Sequence, residues 1–401
     1  MNKGKGKITL LGCLAGVSNQ AVITNVTALL FVPFAGLYGF SFAQLGLLTA
    51  VNFAAQMCAD VLLMFLIGRC SHKKLALAAA AASCAGLLFY GAVPLLFSGG
   101  ALYGGIACAT AVFAFAGGML EVVLSGIADR LPAGSRVSIC LLHTAYAWAQ
   151  AVLAIVLFFF ILLAGERNWN YVMFALALVP LSAFFLLSGA CIPERGESKA
   201  ESLPAQKREG FGRFYIFALA AIFFGYGAEV CMNQWMSTLF SETFPLYGSE
   251  FFAAAAFAVF LGLGGIFYVR LSARVRRFPL FALLFSALAA FGCYVAAAAA
   301  GGAVSFAAAA ICGLFVGVLS PGVMTVSSEN LPGAGGRMLA TLAIASDLGA
   351  AALPAAAGAL SGALGFRAAF LILSAAPLLC AIFVAAMRKS RIPLRKKGII
   401  R

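Results

Sequence analysis

The chain has 401 residues and a formal net charge of +14, yet only 10% of its residues are charged and 63% are hydrophobic. Because soluble domains carry about 25% charged residues, this composition excludes a soluble globular protein and indicates a membrane protein. The bases flank apolar segments, so we attribute the positive charge to membrane topology and expect no nucleic-acid partner.

Apolar segments of about 20 residues, the length that crosses a bilayer, recur twelve times. The first resembles a signal peptide, but its apolar run continues past Asn19 with no convincing cleavage site, so we predict a first span. The predicted spans are 8–32, 43–67, 75–97, 102–128, 137–163, 171–192, 214–238, 251–271, 278–300, 304–327, 338–360 and 368–387. We therefore expect an all-α membrane protein with twelve transmembrane helices.

The distribution of Lys and Arg predicts the orientation of these spans. With the N-terminus in the cytoplasm, 25 of the 27 bases fall in cytoplasmic segments, and only Arg167 and Arg367 fall outside. This pattern follows the positive-inside rule. We expect a multi-pass protein of the bacterial cell (inner) membrane with both termini in the cytoplasm.

A polar segment at 193–213 and a repeated loop motif divide the chain into two halves. The segment is predicted to be a cytoplasmic linker between a six-helix bundle at 1–192 and a second bundle with a basic tail at 214–401. The motif of an acid, Leu-Pro, small residues and Arg runs from Asp129 to Arg136 after span four and from Glu329 to Arg337 after span ten. We predict two parallel six-helix repeats. The four charges are expected to close a cytoplasmic gate, although solvated end charges are the alternative.

Four carboxylates lie deep within predicted spans: Asp60, Glu121, Glu229 and Asp347. Burial in lipid disfavours their charged form, so such an acid can hold a proton in one state and lose it in another. Glu121 and His143 both lie about 15 Å along their helices from the loop joining spans four and five, and so at one depth. We take Glu121, His143, Asp60 and Asp347 as candidate proton-coupling residues. Hydrogen bonds that only fix helix packing are the alternative.

Amide and aromatic side chains supply a candidate binding site. Asn52, Gln56 and Asp60 are spaced four residues apart and share one face of span two. The candidate substrate-binding residues are Gln20, Asn25, Asn52, Gln56, Tyr146, Trp148, Glu229, Asn233, Gln234 and Trp235. Such a set suits a polyhydroxylated or zwitterionic solute. Interhelical hydrogen bonds without a ligand are again the alternative.

The sequence carries no signature of an enzyme or of a cofactor. Its 11 cysteines occur singly without CxxC spacing, and it has 2 histidines. HExxH, GxSxG and Walker A motifs are absent, so we expect no catalytic residues, no metal and no cofactor. The expected partners are a small-molecule substrate, protons or sodium as coupling ion, and the lipid bilayer, around a monomer.

Over its whole length the chain resembles the major facilitator superfamily, and in particular a bacterial branch distantly similar to fucose–proton symporters. The motifs that carry the resemblance are Asn52-Phe53-x-x-Gln56-x-x-x-Asp60, Gly118-x-x-Glu121, Leu141-Leu142-His143-x-x-Tyr146-x-Trp148, Gln234-Trp235 and Asp347-Leu348-Gly349. In those symporters a span-four Glu serves in proton coupling, and the resemblance implies that role for Glu121. Their sugar-contacting amide in span five corresponds to Tyr146, and an Arg common in span eight of this branch corresponds to Gly265.

The sequence therefore predicts a secondary active transporter that moves a small polar, sugar-like solute together with protons by alternating access. One alternative is a proton-driven efflux carrier for amphipathic compounds, which expects an apolar, aromatic cavity and is compatible with 37 Phe residues. A more remote alternative is a receptor or scaffold that does not transport.

Overall fold

The structure is a computed structural model that describes residues 3–66, 69–128, 135–190, 211–243, 249–272, 278–331 and 335–390. Within these ranges, twelve helical segments are long and apolar enough to cross a membrane, and each overlaps one predicted span. The linker predicted at 193–213 lies mostly outside the described residues, and the helix that follows it begins at Phe211. The all-helical fold expected from the composition is confirmed.

Within the part of the first half that the structure describes, eight helices make up six spans. They are α1 (Lys3–Leu29), α2 (Phe31–Tyr38), α3 (Phe42–Leu66), α4 (His72–Leu96), α5 (Gly100–Ala128), α6 (Ser135–Ala164), α7 (Trp169–Leu176) and α8 (Leu178–Ser188), with a 3₁₀ turn at Glu166–Asn168. The pairs α1–α2 and α7–α8 each form one span.

Among the described residues, the second half of the chain also forms eight helices, which make up six spans. Its helices are α9 (Phe211–Thr243), α10 (Ser249–Ser272), α11 (Phe278–Ala299), α12 (Gly302–Val316), α13 (Leu319–Asn330), α14 (Gly335–Leu364), α15 (Phe366–Leu373) and α16 (Ala375–Lys389). The pairs α12–α13 and α15–α16 each form one span. The fifth and sixth spans of both halves are joined by a glycine, Gly165 or Gly365, with φ of 83° in each case, a left-handed conformation that favours glycine.

Prolines account for the four spans that consist of two helices. A proline lacks the N–H that would bond the carbonyl four residues earlier, so the helix is interrupted there. Pro33, Pro180 and Pro377 lie four residues after Leu29, Leu176 and Leu373, at which α1, α7 and α15 end. Pro321 has the same relation to Gly317, the C-cap of α12. Pro94 and Pro354 lie inside α4 and α14 without interrupting them.

The two ends of the bundle differ in charge. The described bases at one end, called here the basic end, are Lys7, Arg69, Lys73, Lys74, Arg213, Arg270, Arg388 and Lys389, and those at the opposite end are Arg167 and Arg367. Successive spans run alternately from one end of the bundle to the other, and hydrogen bonds at each end connect the helices that meet there. At the basic end Lys73 Nζ donates to the main-chain oxygen of Ala190 at 3.0 Å. At the opposite end the Trp169 indole donates to the Tyr38 hydroxyl at 2.8 Å.

The halves meet mainly through α3 against α14 and α6 against α10. At the opposite end the contact of α3 with α14 is so close that a Cβ on Gly46 would lie 3.0 Å from the main-chain oxygen of Pro354. A Cβ on Gly358 would overlap the main-chain oxygen of Phe42. Glycine at these positions lets the two helices approach backbone to backbone.

Toward the basic end, part of the inner surface is exposed. Glu121 and Ser125 of α5 are both exposed and lie one turn apart on one face. Val112, an exposed residue of the same helix, is nine positions before Glu121 and therefore about 180° around the helix. Because Val112 lies on the outer surface, Glu121 and Ser125 face a space between the helices.

Candidate functional site

Three amide side chains connect α3 and α1 to Glu121 on α5. Asn52 Nδ2 donates to the main-chain oxygen of Ile23 at 2.9 Å, and Gln56 Nε2 donates to Asn52 Oδ1 at 2.6 Å. Gln20 Nε2 then donates to Gln56 Oε1 at 2.9 Å and to Glu121 Oε2 at 3.0 Å. We call Asn52, Gln56 and Gln20 the first relay. It connects the predicted polar face of span two with the candidate coupling acid.

The main-chain carbonyl of Ile23 fixes the direction of the first relay. A carbonyl only accepts, so Asn52 must present its NH₂ group there and its oxygen to Gln56. Gln56 must then present its own oxygen to Gln20, whose NH₂ group donates to Glu121. Gln20 Oε1 is buried and accepts no hydrogen bond from the described residues. The first relay therefore ends in an acceptor without a donor.

A second set of three amides crosses between the two halves. Asn25 Nδ2 donates to the main-chain oxygen of Ala21 at 2.8 Å and to the Tyr146 hydroxyl at 3.1 Å. Asn233 Nδ2 donates to Asn25 Oδ1 at 2.8 Å, and Gln150 Nε2 donates to Asn233 Oδ1 at 2.5 Å. We call Asn25, Asn233 and Gln150 the second relay. It joins α1 and α6 of the first half to α9 of the second half.

The second relay has the same fixed direction as the first. It also starts at a main-chain carbonyl of α1, and each amide donates to the one before it. The Gln150 side chain is only 2% exposed, yet its oxygen Oε1, the last of the relay, accepts no hydrogen bond from the described residues. Asn25, Gln150 and Asn233 line a small cavity together with Ala28, Leu29 and Ala254. The second relay thus ends in an unpaired acceptor at a cavity between the halves.

A further amide, that of Gln234, strengthens the contact between the halves. Gln234 Nε2 donates to the main-chain oxygen of Thr24 at 3.2 Å, and the hydroxyl of Thr49 donates to Gln234 Oε1 at 3.4 Å. The first half therefore supplies hydrogen-bond partners for both the NH₂ group and the oxygen of the Gln234 side chain. Gln234 is only 3% exposed, so it holds the halves together in this arrangement.

Two of the deep carboxyl groups meet across the halves. Asp60 on α3 and Asp347 on α14 lie within hydrogen-bonding reach of each other, and Glu121 is close enough to interact electrostatically with both. A carboxyl group donates a hydrogen bond only in its protonated form. A hydrogen bond between Asp60 and Asp347 therefore requires at least one proton on the pair.

The fourth deep carboxylate, Glu229, faces the interface separately. It is partly exposed and lies one turn before Asn233 on α9, so the two share a face. Glu229 is close enough to interact electrostatically with Tyr146 of α6 and with Tyr226, its neighbour on α9. Tyr146 is in turn one turn before Gln150. Helical spacing thus places Glu229 and Asn233 on one face of α9, and Tyr146 and Gln150 on one face of α6.

The two tryptophans among the candidate binding residues lie apart from these groups. Trp235 is fully buried among Phe31, Phe42 and Phe366, and its indole donates to the main-chain oxygen of Pro354 at 2.9 Å. It packs the contact of the halves at the opposite end. Trp148 is 45% exposed and lies with Val152 and Ile155 on the outer face of α6, about 200° from Tyr146. We therefore leave both out of the proposed binding site.

Several candidate residues fall on parts that the structure does not describe. Asp129 lies outside the described residues. His143, Arg136 and Arg337 lie on described helices, but their side chains are outside the described set. Glu329 is exposed at the basic end of α13. The expected gate pairs and the pairing of His143 with Glu121 remain predictions.

The structure adds two site residues that the sequence interpretation did not include. Gln150 lies four residues after Tyr146, and Tyr226 lies three residues before Glu229. Both residues could have been predicted from the sequence, because each lies about one helical turn from a named candidate and so shares its helix face. Among the described residues, no group of three or more His, Cys, Asp and Glu side chains is arranged to hold a metal ion.

Comparisons with known proteins agree with this fold. The family model Major Facilitator Superfamily matches residues 219–399. A bacterial homologue of the human lysosomal transporter Spinster, inward-facing and unoccupied, has a TM-score of 0.77 at 15% identity, covering 98% of this chain and 100% of the other. The comparison with curated protein sequences gave no match.

Two sugar transporters have the same fold. The Escherichia coli xylose transporter XylE, in its inward open conformation, has a TM-score of 0.72 at 14% identity, covering 98% of this chain and 97% of the other. FucP, the E. coli fucose:proton symporter, in its outward conformation has a TM-score of 0.66 at 17% identity, covering 96% and 99%. The chain is therefore similar to the Major Facilitator Superfamily model over residues 219–399 and shares the fold of these solved transporters over nearly its full length.

Proposed function

We propose that this protein is a secondary transporter of the major facilitator superfamily, and that it couples the movement of a small polar, sugar-like solute to protons by alternating access. The observation that carries the proposal is the proximity of Asp60 and Asp347. Each half contributes one carboxyl group, and a hydrogen bond between the two needs a proton. When the pair loses its proton, two like charges face each other and repel. The protonation of the pair is therefore linked to the relative position of the halves, which is the requirement for proton coupling.

Glu121 is the second proton site in this proposal. Its carboxylate accepts from Gln20 and faces the space that opens toward the basic end. It interacts electrostatically with the acid pair, so a proton bound at Glu121 changes the charge that the pair experiences. His143, on α6, is proposed as a further member of this set because its position in the sequence gives it the depth of Glu121.

The solute is proposed to bind between the halves, against the two relays. The proposed contacts are Gln20, Asn25, Asn52, Gln56, Tyr146, Glu229, Asn233 and Gln234. The amides and carboxylates of this set suit a hydroxylated or charged solute. An efflux carrier for amphipathic compounds expects an apolar, aromatic cavity, and the groups that meet here are polar, so we favour the polar solute.

We propose that the basic end faces the cytoplasm, as the positive-inside rule requires. The halves are in contact at the opposite end and Glu121 is exposed toward the basic end, so this arrangement corresponds to an inward-facing carrier. Two inward-facing neighbours have TM-scores of 0.77 and 0.72, against 0.66 for outward FucP. The motif pairs Asp129–Arg136 and Glu329–Arg337 are proposed to close the basic end in the alternate state.

A ligand screen tests the proposal. Purified protein is heated with single sugars, amino acids, nucleosides and drugs at an acidic and at a neutral pH, and its melting temperature is recorded. We expect stabilisation by a small polar solute to differ between the two pH values, because substrate and proton binding are linked. Stabilisation only by amphipathic drugs would favour the efflux carrier instead.

A further inference from the structure

Helices α1, α3 and α5 meet where α5 carries two adjacent buried glycines, Gly117 and Gly118. A Cβ on Gly117 would overlap the Cδ1 atom of Ile23 and would lie 2.6 Å from Gln20 Oε1. A Cβ on Gly118 would lie 2.8 Å from the main-chain oxygen of Gln56. Neither position has room for a side chain, and the absence of one lets α1 and α3 lie directly against α5.

The carboxamide of Gln20 lies along the face of α5 that carries Gly117 and Glu121. These two residues are four positions apart and therefore share that face. The Gln20 oxygen is next to Gly117. The NH₂ group of the same carboxamide donates to Glu121 Oε2 at 3.0 Å and to Gln56 Oε1 at 2.9 Å. The distance of the carboxamide from α5 thus sets its distance from Glu121.

The first relay leaves the carboxamide of Gln20 no second orientation. Turning it over would set its oxygen against the oxygen of Gln56, which is itself fixed by Asn52. A Cβ on Gly117 therefore moves the carboxamide outward from α5, and so away from Glu121. The atoms that this Cβ would meet are the ends of two flexible side chains, so the helices can keep their packing while the carboxamide moves.

We propose that Gly117 is a positioning residue for Glu121, because the absence of a side chain there lets Gln20 lie on α5 and donate to the Glu121 carboxyl group. The inference rests on the proposed function, in which Glu121 binds a coupling proton. Since Oε2 accepts from Gln20, the proton is held on Oε1. Glu121 is exposed to the space between the helices, so the bond from Gln20 fixes which of its oxygens is protonated from that space.

Difference infrared spectroscopy of the purified full-length protein, between an acidic and an alkaline pH, tests this. It shows the C=O stretch of each carboxyl group that takes up a proton, and the Glu121 band is the one missing in Glu121→Gln. We expect Gly117→Ala to move this band to higher frequency, because a C=O group that loses a hydrogen bond vibrates at higher frequency. Gly104→Ala is the matched control on the same helix and should leave the band in place. It gains the same helix propensity, but its Cβ meets no atom within 4 Å.

The band is assigned by substitution because other titratable groups interact electrostatically with Glu121. Those with described side chains are Asp60 of α3, Asp347 of α14, Tyr146 of α6 and Tyr226 of α9. His143 of α6 joins them by its position in the sequence.

A second substitution shows whether Gly117 acts through Gln20. Gln20→Leu removes the donor and should move the band in the same direction, and Gly117→Ala should then add nothing further. If Gly117→Ala does not fold alone, it is combined with Ile23→Val, which removes the Cδ1 atom that the new Cβ would overlap. A role in packing alone would lower the melting temperature of Gly117→Ala and leave the band unmoved.

The outcomes separate this inference from the proposed function. If Glu121→Gln removes a band that Gly117→Ala leaves in its wild-type position, Glu121 still binds a proton and the positioning role of Gly117 is wrong. If the shifts of Gly117→Ala and Gln20→Leu add, Gly117 does not act through Gln20 and the inference is also wrong. If Glu121→Gln removes no carboxyl band, Glu121 takes up no proton, and both the proposed proton site and the inference are wrong.

Discussion

Six amide side chains form two ordered hydrogen-bond relays at the interface. They are Asn52, Gln56 and Gln20 in the first relay, and Asn25, Asn233 and Gln150 in the second. Each relay begins with an amide N–H that donates to a main-chain oxygen of α1, and its last side-chain oxygen accepts no hydrogen bond from the described residues. Buried polar groups are normally paired, so two unpaired oxygens at the ends of ordered relays indicate positions for a bound partner.

Substitution of Glu121 separates coupling from translocation. Glu121→Gln keeps the size and most of the hydrogen bonding but fixes a neutral group. We expect proteoliposomes with this variant to exchange substrate between equal pools while losing accumulation driven by a pH gradient. Uptake and exchange of the radiolabelled solute measure the two activities. Glu166→Gln should behave as the wild type, and full accumulation by Glu121→Gln would move the coupling site to another acid.

The pair of Asp60 and Asp347 allows a test that needs no substrate. In the wild type, loss of the shared proton at alkaline pH should weaken the contact and change the distance between the halves. Asp347→Asn supplies an amide donor to Asp60 at every pH, so this change should disappear. Spin labels at Lys74 of α4 and Arg388 of α16 report the distance by pulsed resonance. An unchanged response to pH in Asp347→Asn would contradict a proton shared by the pair.

At the scale of the helices, glycines decide where the halves close. Gly46 and Gly358 allow α3 and α14 to touch at the opposite end. Within the second half, Gly349 likewise lets α14 pack against α9, near the main-chain oxygen of Phe223. Prolines act on single helices instead. Because a proline has no N–H to donate to the carbonyl four residues earlier, the helix is interrupted there in α1–α2 and in three other spans.

Gly358→Leu should force α3 and α14 apart at the opposite end. Overpacking of this kind costs about 1–3 kcal/mol, enough to shift a two-state carrier toward its alternate state. In a cysteine-free background, a cysteine at Thr49, which is 2% exposed, should then react faster with a maleimide. Gly362→Leu is the matched control, because a Cβ at Gly362 meets no atom within 4 Å. Equal rates in the two variants would show that this crossing does not close the opposite end.

At the scale of the whole molecule, the bases predict one orientation. Cysteines introduced at Ser390, at the basic end, should be labelled only from the cytoplasmic side in intact cells. Those introduced at Ser98, at the opposite end, should be labelled only from outside. The cysteine-free protein without either substitution gives the background. Reversed labelling at either position would overturn the orientation.

The sequence predicted the spans well because length and apolarity decide them locally. The face of Asn52, Gln56 and Asp60 was also predictable from helical spacing. The second relay was not, since Asn25 and Asn233 are 208 residues apart and meet only when the halves pack. Helix rotation likewise places Trp148 on the outer face, although its neighbour in the motif, Tyr146, faces the interface.

Proton movement during transport tests the central claim most directly. Proteoliposomes enclosing a pH-sensitive dye are given an inward gradient of the solute found in the ligand screen, without an imposed pH gradient. Wild-type protein should acidify the interior as the solute enters, and Glu121→Gln should carry the solute in exchange without acidification. Solute entry by the wild type with no change in internal pH would contradict a proton-coupled symporter.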